Sequence, residues 1–490
     1  MRETISKNKF LIAAAVVIIC VISSIAVYRS SSTTPLDTSE YKDLYKSIHD
    51  YNDEKGFASQ DELKGFITAW ADQRGLDYST DKYGNIVFTS QAISRKKKVS
   101  PTVVCAGYNY ETATDHSRLL ASALMTAATE GDSGKKTVIL CNDEQNLGTG
   151  YKHISKKLIP SNAKVIYMDY GSSSYLSNSS FVMSKSSIIV PAKKTKVKCD
   201  TAVTVHISGL KSDEVSTALA KHPDVISAFS SLLTRLKSKS TICQLADVKI
   251  GANGNMYPIS LDATFLLNSY AAGSFTSFID KRIKAWEKAY GDSNEDLEFS
   301  YEVTDDIEKL PKKAYTAEST DRLTSVLYTI NNDIYRYEES DKIPENRKVG
   351  DTCGLNCALD LEQIKGGFSI DIMTQGYNDS YIKKIQDENE LISELYDCKT
   401  ETKYTVPRFI NNRDSLIRNL LNTYSKVNNV STASSILAID SDNYFTPCSY
   451  LNAINKKADI VHVRFNKDTS VLLTNTILCY INTKGNLLSL

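Results

Sequence analysis

The chain has 490 residues with 58 basic and 58 acidic side chains, so no long-range field favours nucleic acid or an acidic partner. A hydrophobic fraction of 41% over that length is enough to bury a core in each of about two to four domains, which excludes a largely disordered chain.

Arg2, Lys7 and Lys9 precede Phe10–Val27, an uncharged apolar run followed by the polar stretch Tyr28-Arg-Ser-Ser-Ser-Thr-Thr-Pro35. Such a run can span a bilayer, and the positive residues before it place residues 1–9 in the cytoplasm. The competing reading is a cleaved signal peptide. The apolar core, however, exceeds the usual ~7–15 residues and no small-x-small cleavage site follows it. The expected layout is a single-pass membrane anchor over 10–27, a stalk over 28–40 and an extracytoplasmic body; either reading exports the body. Nine cysteines lie beyond the anchor without metal-finger spacing, and Cys353 and Cys357 are the one pair close in sequence.

Gln60–Arg74 puts Leu63, Phe66, Ile67 and Trp70 on one helical stripe and stops at Gly75. After the turn Asp81-Lys-Tyr-Gly-Asn85 the pattern alternates. It gives strands at 86–89 and 102–106, a helix at 116–129, a strand at 137–141, a helix at 151–158 and a strand at 164–168. That order predicts an α/β fold, a mostly parallel sheet with helices on both faces. The texture changes near Lys193-Lys-Thr-Lys-Val-Lys198. Two strand-helix-strand-strand-helix-strand runs then follow in succession, including a helix expected at 322–335, and they read as an α+β domain. From about Thr405 the α/β texture returns, with a helix at 414–427, strands at 435–439 and 458–465, and a closing helix at 469–481. The expected organisation is therefore an α/β domain over 41–197 and 405–490, interrupted by an inserted α+β domain over 198–404.

Strand ends of a parallel sheet share one edge, where α/β enzymes place their chemistry. Candidates there are Gly107-Tyr-Asn-Tyr110, Asp143-Glu-Gln145 and Asp169, joined by Asp115 just before a helix. Asp115 alone reads as well as a helix N-cap. Neighbouring carboxylates suit a hydrolytic metal site, one as general base and one as ligand, but the third residue of Asp143-Glu-Gln145 is an amide.

This arrangement resembles the di-zinc exopeptidases, in particular the aminoacyl-histidine dipeptidase (peptidase D) branch, over nearly the whole body. Asp81-Lys-Tyr-Gly-Asn-Ile86 looks like that family's D-x-x-G-N-(V/I) turn. The resemblance implies that Tyr108 and Tyr110 stand at the positions of a His-x-Asp, and that Asp115 matches the bridging Asp. It also implies that Glu144 matches the general base, that Gln145 replaces a ligand Glu and that Asp169 matches the last acidic ligand. The terminal His falls near Phe465, with His462 the only imidazole close by. In the inserted domain Ile250-Gly-Ala-Asn-Gly-Asn-Met-Tyr-Pro258 resembles G-G-x-x-x-N-x-I-P, which makes Asn255 a substrate-contacting position; the lid histidine is absent. The branch's second lid unit resembles an internal mimic of a dimer and would account for the doubled α+β pattern.

Zinc needs about three protein ligands per ion plus water, and two of five family ligands survive, Asp115 and Asp169. A tyrosine ligates poorly because its phenol must deprotonate from near ~10. His116 could complete a one-metal site, but as the residue after Asp115 it is expected to point away. The expectation is a membrane-anchored peptidase-like protein with no resident cofactor, a vestigial Glu144, and a cleft or lid surface that binds peptide or a protein partner. The alternative is a surface metallo-dipeptidase with zinc at a rebuilt single-metal site.

Overall fold

The computed structural model describes residues 36–90, 99–129, 135–144, 148–171, 173–211, 215, 222–238, 243–251, 257–330, 332–339, 343, 348–376, 379–411, 413–429, 437–439 and 446–483. Phe10–Val27, Gln145 and Asn255 lie outside them, and no described helix is long and apolar enough to cross a membrane. The chain divides into two compact units. One contains the described residues up to Ser179 and those from Ile410 onward, and the other runs from Ser180 to Phe409. The Lys-rich stretch 193–198 thus falls inside the second unit rather than at its edge, because the strand Val182–Pro191 before it pairs with Gly367–Gly376.

The first unit is an α/β sheet of eight strands. Four central strands run parallel in the order Lys136–Asn142, Thr102–Tyr108, Lys164–Tyr170, Asp459–Phe465. Ile86–Ser90 and Tyr175–Ser177 join antiparallel on either side. Side chains alternate between faces. Val104, Ala106, Tyr108, Ile166, Met168, Val463 and Phe465 enter the core shared with the helices Thr38–His49, Gln60–Gln73, Ser117–Ala128, Ser415–Asn428 and Ser470–Thr483. On the strand Asp459–Phe465 itself packs the short helix Cys448–Ile454. Where a helix was expected at 151–158 there are a four-residue helix Thr149–Lys152 and a 3-10 turn Lys156–Leu158, since Pro160 and the sparse apolar spacing do not sustain a longer one. The stalk expected over 28–40 gives way at Thr38 to a helix that Asp37 caps by accepting from the Ser39 and Glu40 amides.

The second unit is α+β, with two repeats of one topology in one sheet. The first repeat is Thr201–Ser208, helix Val225–Ser238, Cys243–Gly251, Ser260–Leu267, helix Ser269–Tyr290, Glu298–Thr304. Its strands lie in the order fourth, first, third, second. The second repeat is Val182–Pro191, helix Ala317–Thr329, Thr352–Ile364, Gly367–Gly376, helix Asp379–Leu395, Lys399–Val406, in the mirrored order. The two second strands meet edge to edge at Ile250 and Leu361. The repeats are therefore nested, not successive: the first is inserted between the first strand and first helix of the second. Where a single helix was expected at 322–335, the helix ends at Thr329 and Asp333–Arg336 forms a strand on Thr352–Ile364. Ile334 and Tyr335 are better accommodated on a half-buried sheet edge than in a helix. Among the described residues no disulfide forms; Cys353 and Cys357 are buried on one strand.

Candidate functional site

The carboxyl ends of the four parallel strands bring together Tyr108, Asn142, Asp143, Asp169 and Arg464. The Asp81 turn fixes one side. Its Oδ1 accepts from the Tyr83 amide at 2.8 Å and the Asn85 amide at 3.0 Å, and Gly84 takes a φ of +89° that a side chain would strain. Asn85 then ties the turn to the sheet, accepting from the Asn142 amide at 2.9 Å and donating to the Gly150 carbonyl at 3.0 Å. The motif that resembles the family's is thus a structural clamp on the strand end. Gln60 is a second clamp that the sequence did not reveal. From the start of its helix its amide donates to the Tyr108 carbonyl at 3.0 Å and Asn142 Oδ1 at 2.8 Å, and it accepts from the Tyr110 amide at 2.9 Å.

The positions of the implied ligands are engaged elsewhere. The Tyr108 hydroxyl donates to the Gly84 carbonyl at 2.6 Å, and burial pushes its pKa far above the ordinary value, so it stays protonated and occupied. Tyr110 donates to Glu111 Oε1 at 3.2 Å, a bond that raises its pKa. Phe465 is fully buried in the helix-covered core and stacks edge-on with Tyr170. One residue from Arg464, its side chain faces the opposite side of the sheet, the side that Tyr108 also faces. Asp115 is exposed and does not cap the following helix: the cap residue is His116, without a side-chain cap bond. Glu144 is exposed; its amide donates to Asn142 Oδ1 at 3.3 Å. Asp143, its neighbour, accepts from the Gly148 amide at 2.7 Å.

Asp169 has the strongest surroundings. Arg464 is its cross-strand register partner. The Arg464 guanidinium lies 3.5 Å and His462 Nε2 lies 3.4 Å from Asp169 Oδ2, with both residues 1% exposed. The Tyr170 amide also donates to Asp169 Oδ1 at 2.8 Å. Burial alone would raise this carboxyl, but Arg464 and the hydrogen bond from His462 outweigh it and hold the pKa down to about 2. Tyr167 and Tyr175 flank the His462 ring at 4.8 and 5.4 Å between centroids. Gly171 is required here, because a Cβ at that position would land on the Arg464 guanidinium. Burial lowers the His116 pKa, and the charges of Asp169 and Asp115 oppose that shift. Arg464 was missed as a site residue. The available signal was an arginine within the otherwise apolar strand Ile460-Val-His-Val-Arg-Phe465.

Solved structures with the same architecture include an aminoacylhistidine dipeptidase from Vibrio alginolyticus. It superposes at a TM-score of 0.58 with 13% identity, over 91% of this chain and 96% of that one. The fold is that of an aminoacylhistidine dipeptidase. A tripeptidase from Staphylococcus aureus matches at a TM-score of 0.43 and 9% identity, over 90% of this chain and 97% of that one. Aminopeptidase PepT from Bacillus cereus matches at 0.42 and 8%, over 91% and 99%. No sequence-family profile and no curated protein sequence matches the chain.

The described residues at the positions that the resemblance matches to metal ligands do not fit a pair of zinc ions. A zinc ligand must offer a free lone pair, but the Tyr108 hydroxyl is a buried protonated donor and Phe465 has no donor atom. Asp169 is already balanced by a buried guanidinium. Among the described residues, one group of three donors can converge on a single ion, His49, Asp50 and Glu54. It is exposed, and His49 Nδ1 already lies 2.7 Å from Asp50 Oδ1.

Proposed function

We infer that this chain is a peptidase-like protein that has given up hydrolysis and binds peptide or a protein partner outside the cytoplasm, tethered by Phe10–Val27. The pairing of Asp169 with Arg464 and His462 carries the reading. In a hydrolytic metal centre that carboxylate would spend its charge on an ion, which activates water and polarises the scissile carbonyl. Here a fixed side-chain cation takes that charge, so Glu144 has no activated water to deprotonate. The strand-end clamps by Asn85 and Gln60 are kept, which supports retention of the crevice as a surface.

What supports the alternative of a surface dipeptidase with a single rebuilt metal site is that the charges of Asp169 and Asp115 both act on the His116 imidazole. The two readings separate in one assay. Full-length protein in detergent should leave short dipeptides intact with and without added zinc. Zinc-dependent hydrolysis abolished by Glu144→Gln would establish the enzyme instead.

A further inference from the structure

One cavity lies on the helix-bearing side of the first repeat in the second unit. It is a groove of about 470 Å3 beside helix Val225–Ser238, continued by a neighbouring one of about 310 Å3. Volumes of roughly 300–1,000 Å3 are those of small-molecule sites. Helix Val225–Ser238 lines the groove with Ser227, Ser230, Ser231 and Thr234, of which Ser231 and Thr234 donate their hydroxyl protons to the Ala228 and Ser230 carbonyls, both at 2.8 Å. Phe278, Leu327 and Tyr328 give it apolar walls, and Tyr328 is 75% exposed.

Two cations line the groove, each close to the same aromatic ring. The guanidinium carbons of Arg235 and Arg282 lie 5.2 and 5.3 Å from the centroid of the Phe278 ring, and both residues line the groove. Among the described residues neither makes an ion pair, although many other basic side chains do. Asp224, a carboxylate that lines the neighbouring cavity, is occupied: it accepts from the Ser227 amide at 2.8 Å and the Asn332 side chain at 2.7 Å. Lys237 is paired with Asp321 at 3.4 Å. A groove with two uncommitted guanidiniums, hydroxyls and an aromatic wall is matched by a ligand with a compact double negative charge and an apolar body. A phosphate monoester carries about −1.5 to −2 charges at neutral pH with three acceptor oxygens, and arginine is its natural partner.

We propose that this groove binds a small soluble phosphate monoester with an aromatic or apolar body, its phosphate held by Arg235 and Arg282. The site is independent of the strand-end crevice of the first unit, so its test does not depend on whether that crevice hydrolyses anything. Phenyl phosphate titrated calorimetrically into the full-length protein at low salt should bind at one site with a dissociation constant of about 1 mM or better. Benzoate, with one charge, should bind at least about tenfold more weakly, and phenol should not bind measurably. Arg235→Ala and Arg282→Ala should each weaken phenyl phosphate about tenfold or more while the melting temperature stays unchanged, since both side chains are at the surface. Absence of phenyl phosphate binding at about 5 mM would overturn the proposal. So would undiminished binding in the double variant, or benzoate or phenol binding as tightly as the phosphate.

Discussion

Asp169 in the first unit and Asp360 in the second are both carboxylates drawn out of water within a sheet, and they end at opposite extremes. Asp169 faces Arg464 and His462 and is held down to about 2. Asp360 is pushed up to about 6 by burial, with Glu362 and Asp371 adding repulsion. Asp371 nearby takes the cations, accepting from Lys403 at 2.6 Å and lying 3.5 Å from Lys185. One buried carboxylate has a built-in counter-charge and the other does not. The same contrast holds for cations: Arg464 is consumed at the strand ends, where an enzyme would keep free groups, while Arg235 and Arg282 stay uncommitted on a helical surface. The contrast is what we propose for the protein: no hydrolytic chemistry at the strand ends, and binding on a helical surface instead.

Removing Arg464 tests the paired side most severely. Arg464→Leu leaves Asp169 buried with only His462 opposite, and the loss of one partner of a buried pair costs about 3–5 kcal/mol, readable by denaturant unfolding. Loss of less than about 0.5 kcal/mol would mean the pair is not holding the charge. Gly171→Ala drives a methyl group onto the guanidinium, and the forced rearrangement should cost about 1–3 kcal/mol. The double variant Gly171→Ala with Arg464→Leu should show a smaller cost for the methyl than the single variant does.

The two carboxylates predict opposite pH responses. The folded-state pKa of Asp169 is depressed, so its contribution is present above about pH 4 and is lost as pH falls toward about 2. That of Asp360 is raised, so the unprotonated form penalises the fold. Stability is lost as pH rises from about 4 through about 6. Asp360→Asn should remove that second slope, a gain of about 1–2 kcal/mol at pH 7 after allowance for its partial exposure. A slope unchanged in the variant would assign it to another group. The smallest effect is expected at Glu144: Glu144→Gln should shift stability by no more than about 0.5 kcal/mol, because the side chain is exposed.

The alternation of strands and helices was legible because each has its own apolar period, and the Asp81 turn was legible because aspartate and glycine there have local backbone roles. The nesting of the two repeats was not, since Val182–Pro191 carries no mark saying that its helix lies beyond a whole inserted repeat. Tyr108 and Asp169 lie at the carboxyl ends of parallel strands, where the apolar runs before them end. That Tyr108 is spent on the Gly84 carbonyl, and Asp169 on Arg464, depends on cross-strand register, which sequence spacing does not encode. The alternation rule could have separated Phe465 from Arg464, since neighbours in a strand face opposite sides.

Metal content of full-length protein purified without chelator tests the central claim most directly. A strand-end carboxylate already neutralised by Arg464 predicts well under one zinc per chain, with none retained after dialysis. About two zinc ions per chain, lost on Asp169→Asn, would contradict the account.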